Sequence, residues 1–211
     1  DKNYSCCKFD LNPDYIKIAQ SYGAKAFKID SPVDLESSLK EGLSTKGVVL
    51  MEVVVDHTEM VYPMLTPGGI QKGKMIKTSY AISLLSKITK GKAVVVTDVG
   101  QHQMWDAQYY DFQNPRNQIT SGGLGTMGFG FPAAIGARFG RKKDAVLAIC
   151  GDGSFQMNMQ EFSTAVANNL DLKIILINNG HHGMVRQWQT LFFDKNYSCC
   201  KFDLNPDYIK I

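Results

Sequence analysis

The sequence lacks several features that would assign it to a particular class of protein. No apolar run approaches the roughly 18 residues that a membrane helix needs, so we expect no membrane span. The net charge is only +3 in 211 residues and the lysines are scattered, which gives no electrostatic basis for binding nucleic acid. There is no CxxC pair and no Cys/His spacing typical of a zinc site. These absences favour an ordinary globular domain.

The chain repeats its own beginning at its end. Residues 1–18 recur letter for letter as residues 194–211, whereas a stacked-repeat architecture needs several units. Two of the five cysteines are therefore duplicates, and we expect free thiols in a reducing compartment. The first residue is not Met. We expect the chain to be a piece of a larger gene product in which a downstream half precedes an upstream half.

Apolar strands alternate with helical segments along the chain. This alternation predicts an α/β fold with a doubly wound parallel sheet. The predicted strands are 26–29, 47–55, 93–99, 145–150 and 172–177. The predicted helices are 15–22, 32–43 (with Ser31 as N-cap), 79–88, 101–110, 124–139, 158–168 and 183–192, and residues 62–69 read as a turn-rich tail.

Three predicted strands end in polar, glycine-rich sequences, at residues 98–102, 151–154 and 178–180. Ligands of such sheets bind outside the carboxyl ends of the strands. We therefore expect the three segments to converge on one ligand.

Gly151-Asp152-Gly153 and Asn178-Asn179 predict a magnesium site. A carboxylate and an amide oxygen are hard ligands that suit Mg²⁺ but leave it short of six ligands. A backbone carbonyl at about His181, phosphate oxygens and a water would complete the set, which predicts a diphosphate cofactor.

Other motifs leave alternatives open. The GxGxxG pattern at residues 123–128 follows no apolar strand, which disfavours nicotinamide binding and favours close backbone approach to a flat ring, with plain packing as the alternative. His102 either donates to a phosphate or is structural. Met184 and Trp188 share a helical face, which is equally typical of an ordinary core stripe.

Five segments carry a family resemblance that covers essentially the whole chain. They are TDVGQHQMW (97–105), ITSGGLGTMG (119–128), FPAAIG (131–136), GDGSFQM (151–157) and GMVRQWQ (183–189). Together they resemble the catalytic subunits of acetolactate synthases (acetohydroxyacid synthases), which use thiamine diphosphate and Mg²⁺. The first and last segments are the most particular, because the GDG…NN pattern marks any thiamine-diphosphate enzyme.

The resemblance implies a role for each matching residue. Asp152 and Asn179 would hold Mg²⁺ through their side chains, and His181 through its carbonyl. The aminopyrimidine would meet the backbone of Gly125 and Met127, and the Met127 side chain would hold the cofactor bent. Met184 and Trp188 would face the substrate entrance, with Met184 also near the cofactor. The implied diphosphate contacts are Val99, Gly100, Gln101, His102, Gly151, Gly153 and Ser154.

The resemblance also implies an activity and partners. Pyruvate would lose carbon dioxide and its two-carbon unit would pass to a second 2-oxo acid, early in branched-chain amino acid (isoleucine and valine) biosynthesis. The activating Glu of the family lies on a pyrimidine-binding domain, usually of a partner subunit, and no residue here matches it. We therefore expect the chain alone to be inactive and the full enzyme to be a homodimer or tetramer, with a possible regulatory subunit. The expected location is cytoplasmic in a bacterium and organellar in a eukaryote. The alternatives are a domain of another carboligase or decarboxylase, such as glyoxylate carboligase, and a non-catalytic cofactor-binding or packing fragment.

The resemblance also accounts for the repeated segment. Residues 1–75 match the C-terminal end of the family, and residues 76–211 match the part of the same domain that precedes it. We expect a single, cyclically permuted C-terminal domain over residues 1–211. Only one copy of the repeat can fill the space between the helix at 183–192 and the strand at 26–29, so the other copy should be displaced or exchanged between chains.

Overall fold

The computed structural model describes residues 12–61 and 75–196. In these residues six strands form one sheet in the order β1-β2-β6-β5-β3-β4, and every neighbouring pair is parallel. The strands are β1 Lys25–Ile29, β2 Val49–Val54, β3 Val94–Thr97, β4 Gln118–Thr120, β5 Val146–Gly151 and β6 Lys173–Asn178. The predicted parallel α/β fold is confirmed.

Helices connect the strands. They are α1 Tyr15–Ser21, α2 Leu35–Ser44, α3 Thr78–Thr89, α4 Gln101–Tyr109, α5 Gly130–Gly140, α6 Asp152–Phe155, α7 Phe162–Ala167 and α8 Gly183–Phe192, and a 3₁₀ turn, Met159–Glu161, precedes α7. None of the helices in the described residues combines the length and the apolar character that a membrane crossing requires.

The central strands are apolar on both faces, and each face carries its own core. Alternate residues of a strand point to opposite sides of the sheet, so Leu147 and Ala148 belong to different clusters. One cluster includes buried residues of α2, α3 and α4. The other includes residues of α1, α5 and α7. The continuous apolar runs in the sequence follow from this two-sided burial.

The three polar strand ends meet at one edge of the sheet, as predicted. Strands β6, β5 and β3 are consecutive neighbours and parallel, so their carboxyl ends lie side by side. The beginning of α4 follows β3, the short helix α6 follows β5, and the loop before α8 follows β6.

The helix predicted at 124–139 begins six residues later, at Gly130. Gly125 and Gly128 have φ values of 64° and 87°, which lie in the left-handed region and interrupt a right-handed helix. Asp98 also binds the backbone N–H groups of Gly128 and Gly130. The glycine-rich segment is therefore a loop that is fixed by tertiary contacts.

Other predicted boundaries also shift. Helix α2 begins at Leu35, and the Ser31 hydroxyl accepts from Val33 N–H in a turn, so the prediction of Ser31 as N-cap is wrong. The helix predicted at 158–168 divides into the 3₁₀ turn and α7. A short, partly exposed strand, β4, precedes the glycine-rich loop where no strand was predicted.

Residues 12–18, the described part of the first copy of the repeated segment, belong to the fold. Helix α1 begins within it, and Tyr15 is only 1% exposed in the core cluster that also contains α5 and α7. The predictions for the second copy beyond residue 196, and for the turn-rich tail at 62–69, lie outside the described residues.

Candidate functional site

Asp152 lies at the centre of the edge where the strands end. It is 2% exposed, and it forms no ion pair within the described residues. Its Oδ2 accepts hydrogen bonds from the Gly180 N–H at 2.9 Å and from Asn12 Nδ2 at 3.2 Å. Burial raises the pKa of the Asp152 carboxyl to about 7. A bound cation would stabilise the ionised carboxylate, since no basic side chain does so here.

The two asparagines that follow β6 have different environments. Asn178 Oδ1 accepts from Asn12 Nδ2 at 2.8 Å and from Gly180 N–H at 3.1 Å, and its Nδ2 donates to Glu52. Asn179 Oδ1 accepts instead from the His181 N–H at 2.9 Å. The side chain that shares donors with Asp152 is therefore that of Asn178. Asn179 lies in the same loop and its carboxamide is directed along the loop.

His102 lies in the first turn of α4. Its ring is close to Gly100, which precedes the helix, and to Gly151, at the end of β5. A Cβ atom on Gly100 or on Gly151 would come within about 3 Å of the imidazole ring, so only glycine fits beside it without displacement. The ring is buried, its Nε2 has no hydrogen-bond partner among the described residues, and burial lowers the pKa of His102 to about 4. The other ring nitrogen bonds the Asp98 backbone, so in the neutral ring Nε2 carries no hydrogen. The negative charge of a bound phosphate would favour the protonated ring, whose Nε2 could then donate to a phosphate oxygen.

The glycine-rich loop is held from two sides. Asp98 accepts from the N–H groups of Gly128 at 2.9 Å and Gly130 at 3.0 Å, and Asn158 Nδ2 donates to the Gly128 carbonyl at 2.7 Å. Gly125 is exposed and a Cβ there would meet nothing within 4 Å, while Met127 is half-buried. The loop therefore presents an open backbone beside a partly covered methionine.

Helix α8 is attached to the domain mainly through Gln187, its buried residue. Gln187 exchanges two hydrogen bonds with the backbone of Val61, and its Oε1 also accepts from Gln101 Nε2 at 2.8 Å. Met184 is half-buried, and Trp188 is 57% exposed with its ring against Phe192. Trp188 is thus directed away from the core. The alternative that Met184 and Trp188 form an ordinary apolar stripe facing the core therefore does not hold for Trp188.

The structure gathers most of the predicted site residues at one edge. Residues 99–102, 151–154 and 179–184 follow three neighbouring strands, while Gly125 and Met127 lie in the loop that Asp98 connects to the end of β3. Sequence reasoning assigned no role to Asn12, Glu52 or Asp98. Glu52 carried a signal, because it is a lone carboxylate inside the apolar run of β2.

The ligand chemistry of the site fits magnesium shared with a diphosphate. Within residues 12–61 and 75–196, no group of three or more His, Cys, Asp and Glu side chains could hold a metal ion. The site instead offers one buried carboxylate, amide and carbonyl oxygens, and an unpaired imidazole nitrogen. Such a set is too small for Mg²⁺ by itself and fits an ion whose remaining ligands are phosphate oxygens and water.

Comparison with known proteins decides the family. A sequence model of a protein family, described as thiamine pyrophosphate enzyme, C-terminal TPP binding domain, matches residues 1–53 and 98–211 of this chain. The chain belongs to the thiamine pyrophosphate enzyme family. Membership confirms thiamine diphosphate (thiamine pyrophosphate) as the predicted cofactor, with Mg²⁺ as its usual partner in such domains.

Within the thiamine pyrophosphate enzyme family, the chain is similar to acetolactate synthases. It is 55% identical over 124 residues to the chloroplastic acetolactate synthase 2 of Nicotiana tabacum, which is 59% of this chain and 19% of that protein. It is 53% identical over 135 residues to the isozyme 2 large subunit of Escherichia coli K12, which is 63% of this chain and 25% of that subunit. With the large subunit of Lactococcus lactis the identity is 49% over 133 residues, or 63% of this chain and 23% of the relative.

These relatives confirm the predicted resemblance to acetolactate synthase catalytic subunits. The matched region spans only about a fifth to a quarter of the length of each curated relative. The similarity therefore concerns one domain of these larger enzymes.

Proposed function

We propose that this chain is the domain of an acetolactate synthase that binds the diphosphate and the Mg²⁺ of thiamine diphosphate. The observation that carries the proposal is the convergence of Asp152 and the unpaired Nε2 of His102 where β3 and β5 end side by side. A carboxylate for a cation and an imidazole that a bound phosphate would protonate lie at the same edge. The identity to acetolactate synthases supports this choice among thiamine-diphosphate enzymes.

The proposed metal ligands are Asp152, Asn179 and the His181 carbonyl. Burial of Asp152 without an ion pair supports its role, because a divalent cation would offset the cost of the buried charge. Asn179 would exchange its hydrogen bond with the His181 N–H for the metal. Asn179 and His181 lie in the same loop as Gly180, whose N–H donates to Asp152.

The proposed diphosphate contacts surround His102. Once the negative diphosphate favours the protonated ring, its Nε2 would donate to a phosphate oxygen, and the backbone beside it would donate further hydrogen bonds. Gly100 and Gly151 allow the close approach, since a side chain at either position would contact the imidazole ring. The full set is Val99, Gly100, Gln101, His102, Gly151, Gly153 and Ser154.

The remaining contacts concern the aminopyrimidine and the substrate. The open backbone at Gly125 and the half-buried Met127 would receive the ring and hold the cofactor bent. Met184 and Trp188 on α8 would border the substrate entrance. When bound, thiamine diphosphate supplies the carbanion chemistry, and these residues bind it, orient it and exclude water.

The reaction that we propose for the whole enzyme joins two 2-oxo acids. Pyruvate loses carbon dioxide, and its remaining two-carbon unit adds to a second 2-oxo acid. A pyrimidine-binding domain, of the same or a partner subunit, would contribute the activating Glu, and the full enzyme would be a dimer or tetramer, with a possible regulatory subunit. We propose a cytoplasmic or organellar location.

A titration of the purified chain tests the binding function. We expect heat from thiamine diphosphate that depends on Mg²⁺, and we expect Asp152→Ala to abolish that dependence. The surface variant Asp30→Ala is the control and should bind normally. Absence of Mg²⁺-dependent heat from the unsubstituted chain would contradict the proposal and favour a fragment that only packs against a partner.

Turnover provides a second test. The chain alone should form no acetolactate from pyruvate in the presence of both cofactors, because the Glu that activates the aminopyrimidine has no counterpart among its matched residues. Measurable acetolactate would contradict this expectation. Acceptor preference of the whole enzyme, with glyoxylate tested beside pyruvate and 2-oxobutyrate, distinguishes the synthase from other carboligases.

A further inference from the structure

A continuous set of polar side chains connects Asp152 to the interior of the sheet. Asn178 Nδ2 donates to Glu52 Oε1 at 2.6 Å. Asn12 Nδ2 donates both to Asn178 Oδ1 at 2.8 Å and to Asp152 Oδ2 at 3.2 Å. We refer to Glu52, Asn178, Asn12 and Asp152 as the polar chain. Its members come from β2, the end of β6, the segment before α1, and α6, so only the folded domain brings them together.

Glu52 determines the direction of the hydrogen bonds in the polar chain. Its carboxyl is 7% exposed, and as a carboxylate it can only accept a hydrogen bond, which Asn178 Nδ2 donates. Asn178 must therefore turn its NH₂ toward Glu52 and its oxygen toward Asn12. Asn12 then faces two oxygens, and its NH₂ has one hydrogen for each of them. The orientation of each amide thus follows from its neighbour.

The orientation of Asn12 leaves one atom unsatisfied. Its Oδ1 is buried and has no hydrogen-bond partner among the described residues. A flip of the amide would satisfy nothing, because it would place this oxygen against the oxygens of Asn178 and Asp152. A buried oxygen without a partner is costly. In this orientation the two hydrogen bonds of the Asn12 NH₂ are made at the cost of the one unsatisfied oxygen.

The first copy of the repeated segment contacts Asp152 at two points. Asn12 binds the carboxylate, and the hydroxyl of Tyr15, three residues later, donates to the Asp152 carbonyl at 3.1 Å. Together with the Gly180 N–H, Asn12 saturates Oδ2 and fixes the plane of the carboxylate. The other carboxylate oxygen then has a defined direction.

We infer that Asn12 is a positioning residue for the metal carboxylate, and that Glu52 acts on it through Asn178. The inference rests on the proposed function in one respect, namely that Asp152 is a ligand of Mg²⁺. It adds Asn12 and Glu52 to the site and gives Asn178 a connecting role, and it assigns the positioning to the first of two identical segments. The second copy carries Asn205 in the same local sequence, LNPDY.

The duplication provides a matched control. We would compare the unsubstituted chain with Asn12→Ala and with Asn205→Ala, titrating Mg²⁺ calorimetrically at saturating thiamine diphosphate. Substitution of a residue that orients a metal ligand typically lowers metal affinity by about 10- to 100-fold. We therefore expect Asn12→Ala to weaken Mg²⁺ binding at least about tenfold, and Asn205→Ala to leave it within about twofold of the unsubstituted chain.

A double substitution separates positioning from a merely structural effect. Glu52→Gln allows the Asn178 amide to flip, so it should weaken Mg²⁺ binding by the same route as Asn12→Ala. Residues that act through one another are non-additive. The double variant should therefore bind Mg²⁺ no more weakly than the weaker single variant. Unfolding midpoints of all variants without ligands report any loss of stability separately.

Three results would overturn the inference while the proposed function stands: unchanged Mg²⁺ affinity in Asn12→Ala, equal losses in Asn12→Ala and Asn205→Ala, or fully additive losses in the double variant. A loss confined to Asn205→Ala would assign the role to the second copy and would also overturn it. Failure of the proposed function looks different, because the unsubstituted chain would then show no Mg²⁺-dependent heat at all.

Discussion

Asp98 organises the glycine-rich loop through its backbone. The side chain is fully buried, and it accepts from the N–H groups of Val99 at 2.7 Å, Gly128 at 2.9 Å and Gly130 at 3.0 Å. A Cβ on Gly130 would come within 3 Å of Asp98, so the loop and the strand end are in direct contact. The position of Gly125 and Met127 thus depends on a residue outside their own motif.

Asp98→Asn should loosen this loop. The amide keeps one accepting oxygen but opposes an NH₂ to a backbone N–H, and a hydrogen bond to a charged group contributes about 1.5–3 kcal/mol. We expect the free energy of unfolding in urea to fall by about 2 kcal/mol, with faster hydrogen exchange at Gly128. The surface variant Asp34→Asn serves as the control, and equal effects of the two substitutions would refute the role of Asp98.

Asp106 makes the stability of the domain depend on pH. It is fully buried on α4, Gln118 donates to its Oδ2 at 3.1 Å, and Oδ1 has no partner in the part of the chain that the structure describes. Burial raises the pKa of Asp106 from 3.8 to about 7. The folded state therefore keeps a proton that the unfolded state releases between about pH 4 and pH 7. The contribution of Asp106 to stability falls as the pH rises through that window.

Asp106→Asn should remove the part of the pH dependence that Asp106 contributes. Relative to the unsubstituted chain, the variant should gain stability as the pH rises from 4 to 7, because its amide needs no proton to remain neutral. Urea unfolding at pH 4.5, 6 and 7.5 measures the difference. The exposed variant Asp30→Asn should show no comparable trend. A constant difference between Asp106→Asn and the unsubstituted chain over this range would contradict the prediction.

Among the elements, α1 distinguishes the two copies of the repeated segment. Tyr15 and Ala19 of this helix are buried against one face of the sheet, and the Tyr15 ring lies edge-on to Phe155 at 6.2 Å. The hydroxyl of Tyr15 also accepts from Gln156 Nε2 at 2.9 Å. Tyr208 occupies the same place in the second copy of the sequence. We therefore predict that Tyr15 and Tyr208 contribute differently to the free energy of unfolding.

Tyr15→Ala and Tyr208→Ala should differ in stability. Removal of a buried aromatic side chain costs about 3–5 kcal/mol, and we expect that loss for Tyr15→Ala. Tyr208→Ala should change the free energy of unfolding by less than about 0.5 kcal/mol. Denaturant unfolding of the two variants checks this. Equal losses would indicate that the copies exchange in the space beside α8.

The elements also indicate where sequence periodicity is sufficient. Helix α8 begins and ends where the sequence predicts, since its pattern is regular and uninterrupted. The start of α5 does not, because the left-handed backbone at Gly128 is held by hydrogen bonds with Asp98 and Asn158. Small residues in succession are compatible with a helix or a loop, and only distant partners decide between them.

At the scale of the whole molecule, the segment at residues 55–59 lies next to the segment at residues 76–78. Val55 and Ile76 form a parallel bridge, and the Asp56 N–H donates to the Ile76 carbonyl at 3.0 Å. Lys77 pairs with Asp56 at 2.5 Å, and Glu59 accepts from the Thr78 N–H at the start of α3. Ends that lie in contact can be joined without disturbing the sheet. This arrangement supports our proposal of a cyclic permutation.

A rearranged chain tests the permutation. Residues 76–193 followed by residues 1–61 retain all six strands and all eight α-helices of the described residues, and the chain after α8 continues into the single remaining copy of the repeat. We expect this chain to fold with the same parallel sheet and to bind thiamine diphosphate as the original does. Circular dichroism and calorimetry would compare the two. A rearranged chain that fails to fold would refute the proposal.

The sequence by itself determined the fold class, the order of apolar strands and the polar character of three strand ends. It did so because burial on both faces of a parallel sheet requires continuous apolar runs, and ligand-binding groups follow the ends of those runs. It also revealed the duplicated segment. Only the tertiary structure showed that Tyr15 of the first copy lies in the core, that Asn178 shares its donors with Asp152, and that hydrogen bonds connect Glu52 and Asn12 to Asp152. Those contacts join residues 126 to 166 positions apart, and no local pattern encodes them.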